Sequence, residues 1–469
     1  MKLYAILDRT REWERLQALW ESGRPELAFV VGRRRVGKSF LLTRFAGHVG
    51  GVYFQATERT ESEQLARLTA IVGEHFGDPA LKRVSLPDWE TLLDYVTERS
   101  AGRPTLLVLD EFPYLAAAAP ALPSILQTYW DHRGPGTGLK LILSGSLVTA
   151  MKRLEAGNQP LYGRRTARFD IGPFGYRDAA LFVPGYASRK AMLTYGVFGG
   201  LPGHLALLDP AERLSSNAAR LLLDPSGRLA DDAQHMLDAF LADAAVHYSI
   251  IEAIAGGSTV WSRITSRVGK DAGSLSRPMR WLLEMGLVSR VTPVTETRPE
   301  RSKRAIYRIT DPYVSFWHRF ISPLVSAGVL GLVDPALLWK ERVEPRLDEH
   351  MGPVFEEACR TFVRSGTARL PFVPMQVGEW WDAPSRDQID VVALGSRSEL
   401  LLAECKWGAV VAADLESLRA RRDRLAREIA HAGPVHLALF SARPVRNRTV
   451  LAAVEAGDVL SFSLEDLYR

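Results

Sequence analysis

The sequence predicts an α/β protein in three parts. These are a parallel-sheet domain over residues 1-210, a helical and winged-helix domain over 211-345, and a second α/β domain over 346-469. Three observations predict it. A glycine-rich string follows one apolar strand and opens a helix at residue 32. Three helical segments run into two alternating strands between 245 and 309, and apolar runs beyond 373 carry acids at their ends. Short apolar runs separated by helical periodicity are the pattern of buried strands packed under helices.

The chain has 469 residues, 46% hydrophobic and 24% charged, which suits several globular domains. Its two cysteines, Cys359 and Cys405, stand in no metal-ligand spacing, so a reducing cytoplasmic location is expected. The first residues have too short an apolar core for a signal peptide. The most apolar long stretch, Ser322 to Trp339, is interrupted by Pro323, Asp334 and Pro335, so no membrane partner is expected. A net charge of +5 permits a nucleic-acid partner without requiring one.

In chain order, Arg9 to Ser22 reads as a helix and Leu27 to Val31 as a buried strand. Gly32-Arg33-Arg34-Arg35-Val36-Gly37-Lys38-Ser39 is a complete G-x-x-x-x-G-K-[ST] string, and Phe40 to Phe45 continues as a helix. This is the strand–loop–helix setting of a phosphate-binding loop. Its amides would close around the phosphates of ATP, helped by the helix N-terminus. Lys38 would reach the β- and γ-phosphates, and the Ser39 hydroxyl would ligate Mg²⁺.

Gly51 to Thr57 reads as the next strand, followed by helices from about Glu61 and Asp88. Thr105 to Glu111 then ends an apolar run in two acids, a Walker B pattern. Asp110 would hold the Mg²⁺ shell, and Glu111 would orient or deprotonate the attacking water. Leu141 to Ser146 is a further strand with hydroxyls at its carboxyl end, the end that faces ligand in open α/β sheets. Ser144 or Ser146 would sense the γ-phosphate or hold the water; for Ser146, capping a helix is the alternative. Arg164 and Arg165 follow a turn, where one would stabilise charge on the γ-phosphoryl group or both would line a solvated loop.

The arginine-rich phosphate loop, Leu109-Asp110-Glu111-Phe112, the Leu-Ser-Gly-Ser strand and Pro160-Leu161-Tyr162-Gly163-Arg164 together resemble the archaeal-type AAA+-like ATPases. That group also occurs in bacteria and is similar to the STAND signalling ATPases. The resemblance covers roughly residues 5 to 210, including Gly199-Gly200-Leu201-Pro202. It implies a five-stranded core with the sensor strand between the phosphate-loop and Walker B strands. It also implies slow, switch-like turnover.

In the middle part, helices are expected from Asp232 to Tyr248, Ile250 to Ala255, Val260 to Val268 and Ser274 to Met285. Strands follow from Gly286 to Val291 and Tyr307 to Ile309, around a tip rich in arginine. Three helices and a hairpin are the winged-helix order. Ser274, Ser276, Arg277 and Arg280 would face DNA and the arginine-rich tip would lie over its backbone; alternatively, the module packs between domains without touching DNA. Asp311 to Phe320 resembles the Asp-x-x-x-x-Phe-Trp box that closes this module in the same family, and its aromatic spacing fits packing.

The last part opens with a helix carrying Glu356 and Glu357, then strands from Val373 to Trp380, Arg386 to Ala393 and Leu400 to Trp407. Asp390 heads one strand and Glu404 ends the next, so on antiparallel neighbours their carboxylates would meet. Alternation puts Lys406 on the face of Glu404. Two carboxylates on Mg²⁺ with a lysine beside them are what phosphodiester hydrolysis needs. A helix from Asp414, a strand from Val435 to Phe440, another helix and a final strand complete the layer.

Residues and order resemble the PD-(D/E)xK nuclease, or restriction-endonuclease-like, fold. The resemblance implies Glu356 as the helix-borne acid, with Glu357 as alternative, Asp390 and Glu404 as metal ligands, and Lys406 as the lysine. Arg419, Arg421, Arg422 and Arg424 on the next helix would track phosphates or form a solvated face.

The expected function is ATP binding and hydrolysis joined to a Mg²⁺-dependent action on DNA. The alternative is an ATP-dependent regulatory switch. It would bind a protein partner or a further copy of itself, and its C-terminal domain would not cut.

Overall fold

The structure, a computed structural model, describes residues 9–100, 103–238, 244–382, 387–429 and 431–469. It divides into two compact units: residues 1–173 with 201–203, and residues 174–200 with 204–469. Parts of the helix expected from Asp232 to Tyr248, and Arg386 at the head of its expected strand, lie outside the described residues.

The first unit is built on five strands: β1 (Glu26–Val31), β2 (Val52–Gln55), β3 (Thr105–Asp110), β4 (Leu139–Gly145) and β5 (Ala167–Asp170). Their order is β2-β3-β4-β1-β5, with every neighbouring pair parallel. β4 thus lies between β1 and β3, as the resemblance implied. Every residue of β1, β3 and β4 is buried, because helices cover both faces of a parallel sheet. That is why these strands read as unbroken apolar runs.

On one face Phe29, Phe54, Leu107, Leu109 and Leu143 pack against Leu68, Val72 and Trp89 of the helices Glu61–His75 and Trp89–Ser100. Removing the side chain of a residue such as Leu107 would cost about 2–5 kcal/mol. All five strands run the same way, so their carboxyl ends gather at one edge, where a ligand crevice forms.

The second unit contains the helices Ala245–Ala255, Trp261–Val268 and Ala272–Glu284, followed by the antiparallel pair β6 (Val288–Val291) and β7 (Ile306–Ile309). The order is the one expected. Asp271 caps the third helix by accepting from the Ser274 amide at 2.9 Å. In the aromatic box, Phe316 and Trp317 are buried, and the Trp317 indole donates to the Ala230 carbonyl. Gly199 lies against it: a Cβ there would stand 2.6 Å from the Asp311 carboxylate. The box is a packing device, as its spacing indicated.

The same unit ends in a mixed sheet under the helix Leu347–Arg364. Its strands are β8 (Pro374–Trp381), β9 (Gln388–Gly395), β10 (Leu400–Lys406), β11 (Val435–Ser441) and β12 (Leu460–Ser463). The order is β12-β11-β10-β9-β8; β8, β9 and β10 are antiparallel neighbours, whereas β10, β11 and β12 are parallel. Helices Ala412–Glu428 and Arg448–Glu455 make the crossovers. Leu400, Leu402, Leu418, Leu425 and Leu439 form the core beneath them.

Candidate functional site

The phosphate loop leaves β1 at Gly32. A Cβ there would lie 2.2 Å from the Ile171 carbonyl oxygen, so only glycine lets the strand end pass. Gly37, at φ +91°, turns the loop into the helix Lys38–Val49, and Arg35 takes a left-handed conformation at φ +68°. Such a backbone needs support. Arg9 supplies some of it by donating to the Val36 carbonyl at 2.9 Å and the Gly172 carbonyl at 2.6 Å. Sequence reasoning placed Arg9 in a helix and gave it no role; nothing local marks it.

Lys38 is buried and donates to the carbonyls of Gly32 (2.7 Å) and Arg33 (3.1 Å), curled against the loop that would cradle phosphates. Burial lowers its ammonium below the usual range, while Glu111 and Asp110 pull the other way. Arg34 donates to the Tyr114 hydroxyl at 3.1 Å. A buried cation beside a glycine cradle suits the phosphates of a nucleotide.

Asp110, fully buried at the end of β3, accepts from the Tyr53 hydroxyl at 2.7 Å and from the Glu111 amide at 3.0 Å. Burial, and then Asp110, raise the Tyr53 phenol. The hard oxygens of Ser39 and Asp110 are of the kind that suits Mg²⁺.

Glu111 sits in a left-handed turn at φ +54°. One of its carboxylate oxygens accepts from the Ser146 amide (3.0 Å) and hydroxyl (2.9 Å). Ser146 thus holds the acid at the end of Walker B, while Leu147 stands at the N-cap of the following helix. Ser144 is fully buried, and its hydroxyl has no hydrogen-bond partner.

Arg164 is held by Asp131 in a two-pronged pair, both bonds 2.7 Å, and by the carbonyls of Pro160 and Tyr162. Arg165 pairs with Glu155. A role on the γ-phosphoryl group would require Arg164 to leave Asp131.

In the second unit, the ladder of β10 on β9 ends at Ala403 and Val391, so Glu404 and Asp390 each follow directly on its last pair. Both are buried, and Asp390 accepts from the Cys405 amide at 2.9 Å. Glu404 lies 2.7 Å from the Lys406 ammonium and 2.7 Å from the Arg421 guanidinium. Arg360 donates to the Asp390 carbonyl at 2.7 Å and lies 3.9 Å from Glu356. Glu357 pairs with Arg360 at 2.8 Å from its more exposed position.

Burial raises the Glu356 carboxyl; Arg360 and Arg308 oppose the rise, and Glu379 and Glu404 add to it. Asp390 is pushed up to about 8 by burial, then by Glu356 and Glu404. The sequence-predicted acids therefore feel one another. Two members were missed: Glu379 on β8, which is 2% exposed, and Arg308 on β7. Among the described residues, no three His, Cys, Asp or Glu side chains stand ready to hold a metal ion. By donor chemistry the oxygens suit Mg²⁺, but the glutamates are taken up by arginines and a lysine.

The expected DNA-facing residues separate into two groups. Ser274, Ser276, Arg277 and Arg280 are exposed on their helix. Of the hairpin arginines, Arg298 and Arg301 are exposed, whereas Arg304 bonds Glu296, Glu428 and the Trp381 carbonyl, and Arg308 bonds Glu379. On the helix Ala412–Glu428, Arg421 binds Glu404 and Arg424 pairs with Asp387. No helix among the described residues is long and apolar enough to cross a membrane.

A parallel sheet with a phosphate loop after β1, an Asp-Glu end on β3 and a hydroxyl-bearing strand between them defines an ATPase of the P-loop class. Residues 6–208 match the family described as "ATPase domain predominantly from Archaea", and residues 317–418 match "Archaea bacterial proteins of unknown function". The chain thus carries an archaeal-type ATPase domain followed by a domain of that second family. It is 26% identical over 408 residues to the uncharacterized protein MJECL04 of Methanocaldococcus jannaschii, covering 86% of this chain and 87% of that one.

Two solved structures are similar in fold. The Walker-type ATPase paby2304 of Pyrococcus abyssi is 20% identical at a TM-score of 0.49, over 67% of this chain and 96% of that one. The Aeropyrum pernix ORC2 protein in its ADPNP-ADP complexes is 14% identical at 0.42, over 68% and 94%.

Proposed function

We propose that the protein binds and hydrolyses ATP with Mg²⁺ at the phosphate loop, and that ATP turnover regulates Mg²⁺-dependent hydrolysis of DNA phosphodiester bonds at the C-terminal acidic site. In the first site Lys38 neutralises phosphate charge, Ser39 and Asp110 hold the cation, and Glu111 orients or deprotonates water once Ser146 yields it. Arg164 acts on the γ-phosphoryl group only if Asp131 releases it.

The observation that carries the DNA reading is that Asp390 accepts from the Cys405 amide, next to Glu404, with Lys406 on the Glu404 carboxylate and Glu356 within electrostatic reach. This set resembles the PD-(D/E)xK nucleases in residue type and in its helix–three strands–helix–strand order. Bound Mg²⁺ would polarise the phosphate and activate water. Asp390, Glu404 and Glu356 would hold it, and Lys406 would place the water or neutralise charge. The exposed Arg277 and Arg280 would contact DNA phosphates through the winged helix.

Cleavage of supercoiled, linear and single-stranded DNA with Mg²⁺ or Mn²⁺, with and without ATP, tests the reading beside Glu404→Ala. Cutting that the variant loses, with ATPase activity retained, supports it. ATPase activity without cutting under any condition favours a second reading: a regulatory switch, in a cytoplasmic setting, whose C-terminal domain binds a protein partner or a second copy. The observation behind that reading is that Arg421 and Lys406 already occupy Glu404.

A further inference from the structure

The phosphate loop carries three consecutive arginines, and the contacts of the middle one lead to both working parts of the ATP site. Arg34 is exposed on the loop and donates to the Tyr114 hydroxyl at 3.1 Å. Tyr114 lies in the first turn of the helix Phe112–Ala118, whose N-cap is Glu111, and its amide donates to the Glu111 carbonyl at 2.9 Å. Tyr114 thus joins Arg34 to the turn that presents the water-activating acid.

Arg34 also acts on Lys38. Its charge adds to the burial that lowers the Lys38 ammonium, the sign expected of a nearby like charge, whereas Glu111 acts on that ammonium with the opposite sign. Two cations that repel each other beside a glycine cradle are a cost to the empty loop, and a polyanion between them removes it. The terminal phosphate of ATP is the one that faces the attacking water and its acid. A guanidinium fork matches the oxygens of such a group two at a time. Arg164 is committed elsewhere, since Asp131 holds it by two bonds of 2.7 Å.

We propose that the Arg34 side chain binds the γ-phosphate of ATP and stabilises the charge on it during hydrolysis, so that the phosphate loop supplies its own arginine. The proposal rests on the reading of the first site above. In the reaction the water oxygen bonds to the γ-phosphorus as the bond to the bridging oxygen breaks. ADP leaves with that electron pair, and the water's proton passes to Glu111 and on to solvent. Arg34 gives up no proton. It exchanges the Tyr114 hydroxyl for the γ-phosphate oxygens and offsets their charge. ADP has no γ-phosphate and gains nothing from Arg34.

The test compares AMP-PNP, an imido analogue that carries a γ-phosphate without being hydrolysed, with ADP. Affinities are read by isothermal titration calorimetry on the full chain with Mg²⁺. Arg34→Ala should weaken AMP-PNP by on the order of tenfold, the scale of hydrogen bonds to a charged group, and leave ADP unchanged. Arg34→Lys, which keeps the charge but loses the fork, should show the same selective loss in smaller measure. That variant decides the matter if Arg34→Ala does not fold. ATP hydrolysis by Arg34→Ala should fall by on the order of 10³-fold, the lower end of what an arginine on the γ-phosphoryl group contributes.

Equal loss of AMP-PNP and ADP in a folded Arg34→Ala, or loss of neither, overturns the proposal. So does a Tyr114→Phe variant as impaired in hydrolysis as Arg34→Ala, because Arg34 would then serve only to brace the Glu111 turn. A selective loss in Arg164→Ala with none in Arg34→Ala overturns it in favour of Arg164. If the parent binds neither nucleotide, the proposal and the ATP-site reading fall together.

Discussion

Ser146 donates both its amide and its hydroxyl to the same carboxylate oxygen of Glu111. The acid expected to activate water is therefore tied to the end of the neighbouring strand. The turn that carries it, at φ +54°, is unusual for a residue with a side chain and is held by that bond.

Releasing Glu111 should raise turnover. Ser146→Ala is expected to increase basal ATP hydrolysis several-fold, with little change in ATP affinity. Glu111→Gln should keep ATP bound and reduce hydrolysis by about 10²–10⁴-fold, the range of general-base catalysis. Single-turnover hydrolysis alongside nucleotide binding separates the two effects. Unchanged turnover in Ser146→Ala would show that the bond does not restrain Glu111.

Lys38→Ala should abolish the rise in unfolding temperature that ATP produces in the parent. The apo fold should change little, because among the described residues Lys38 donates to carbonyls of its own loop. Gly32→Ala acts differently. Its Cβ would collide with the Ile171 carbonyl, so about 1–3 kcal/mol of stability should be lost, as in other overpacked sites. Thermal unfolding with and without ATP distinguishes lost binding from lost folding.

Asp390 gives a pH signature. Its carboxyl titrates at about 8 in the folded chain, against an ordinary 3.8, because burial and then Glu356 and Glu404 disfavour its charge. Between those values the folded state binds more protons than the unfolded one, so this group makes stability fall as pH rises from about 4 to 8. Below that window both states are protonated, and above it both are ionised. Asp390→Asn should flatten this part of the profile. In the parent, Mg²⁺ should restore stability at the alkaline end if it binds there. Denaturant unfolding across the pH range, with and without Mg²⁺, measures both effects.

Much of the first unit was legible from local pattern. β1, β3 and β4 are buried on both faces, so each is an unbroken apolar run. The phosphate loop is contiguous, so Gly32, Gly37, Lys38 and Ser39 declare it without any tertiary information. The acids of the candidate C-terminal site were legible for a related reason: Asp390 heads one strand and Glu404 lies near the end of its antiparallel neighbour, and alternation alone puts Lys406 beside Glu404.

Partners distant in sequence were not legible. Glu379 looks like an ordinary polar residue in a strand, and Arg308 like one more arginine of a basic hairpin. Only folding brings β7 against β8 and sets Arg308 on Glu379. Tyr53 on Asp110, Ser146 on Glu111, and Arg421 on Glu404 are decisions of the same kind. Periodicity and contiguous motifs follow from the covalent chain and its nearest neighbours, so the strands, the nucleotide loop and the candidate acids can be read from residue order. Which base neutralises which acid depends on where separate elements pack, and the tertiary structure alone decided that.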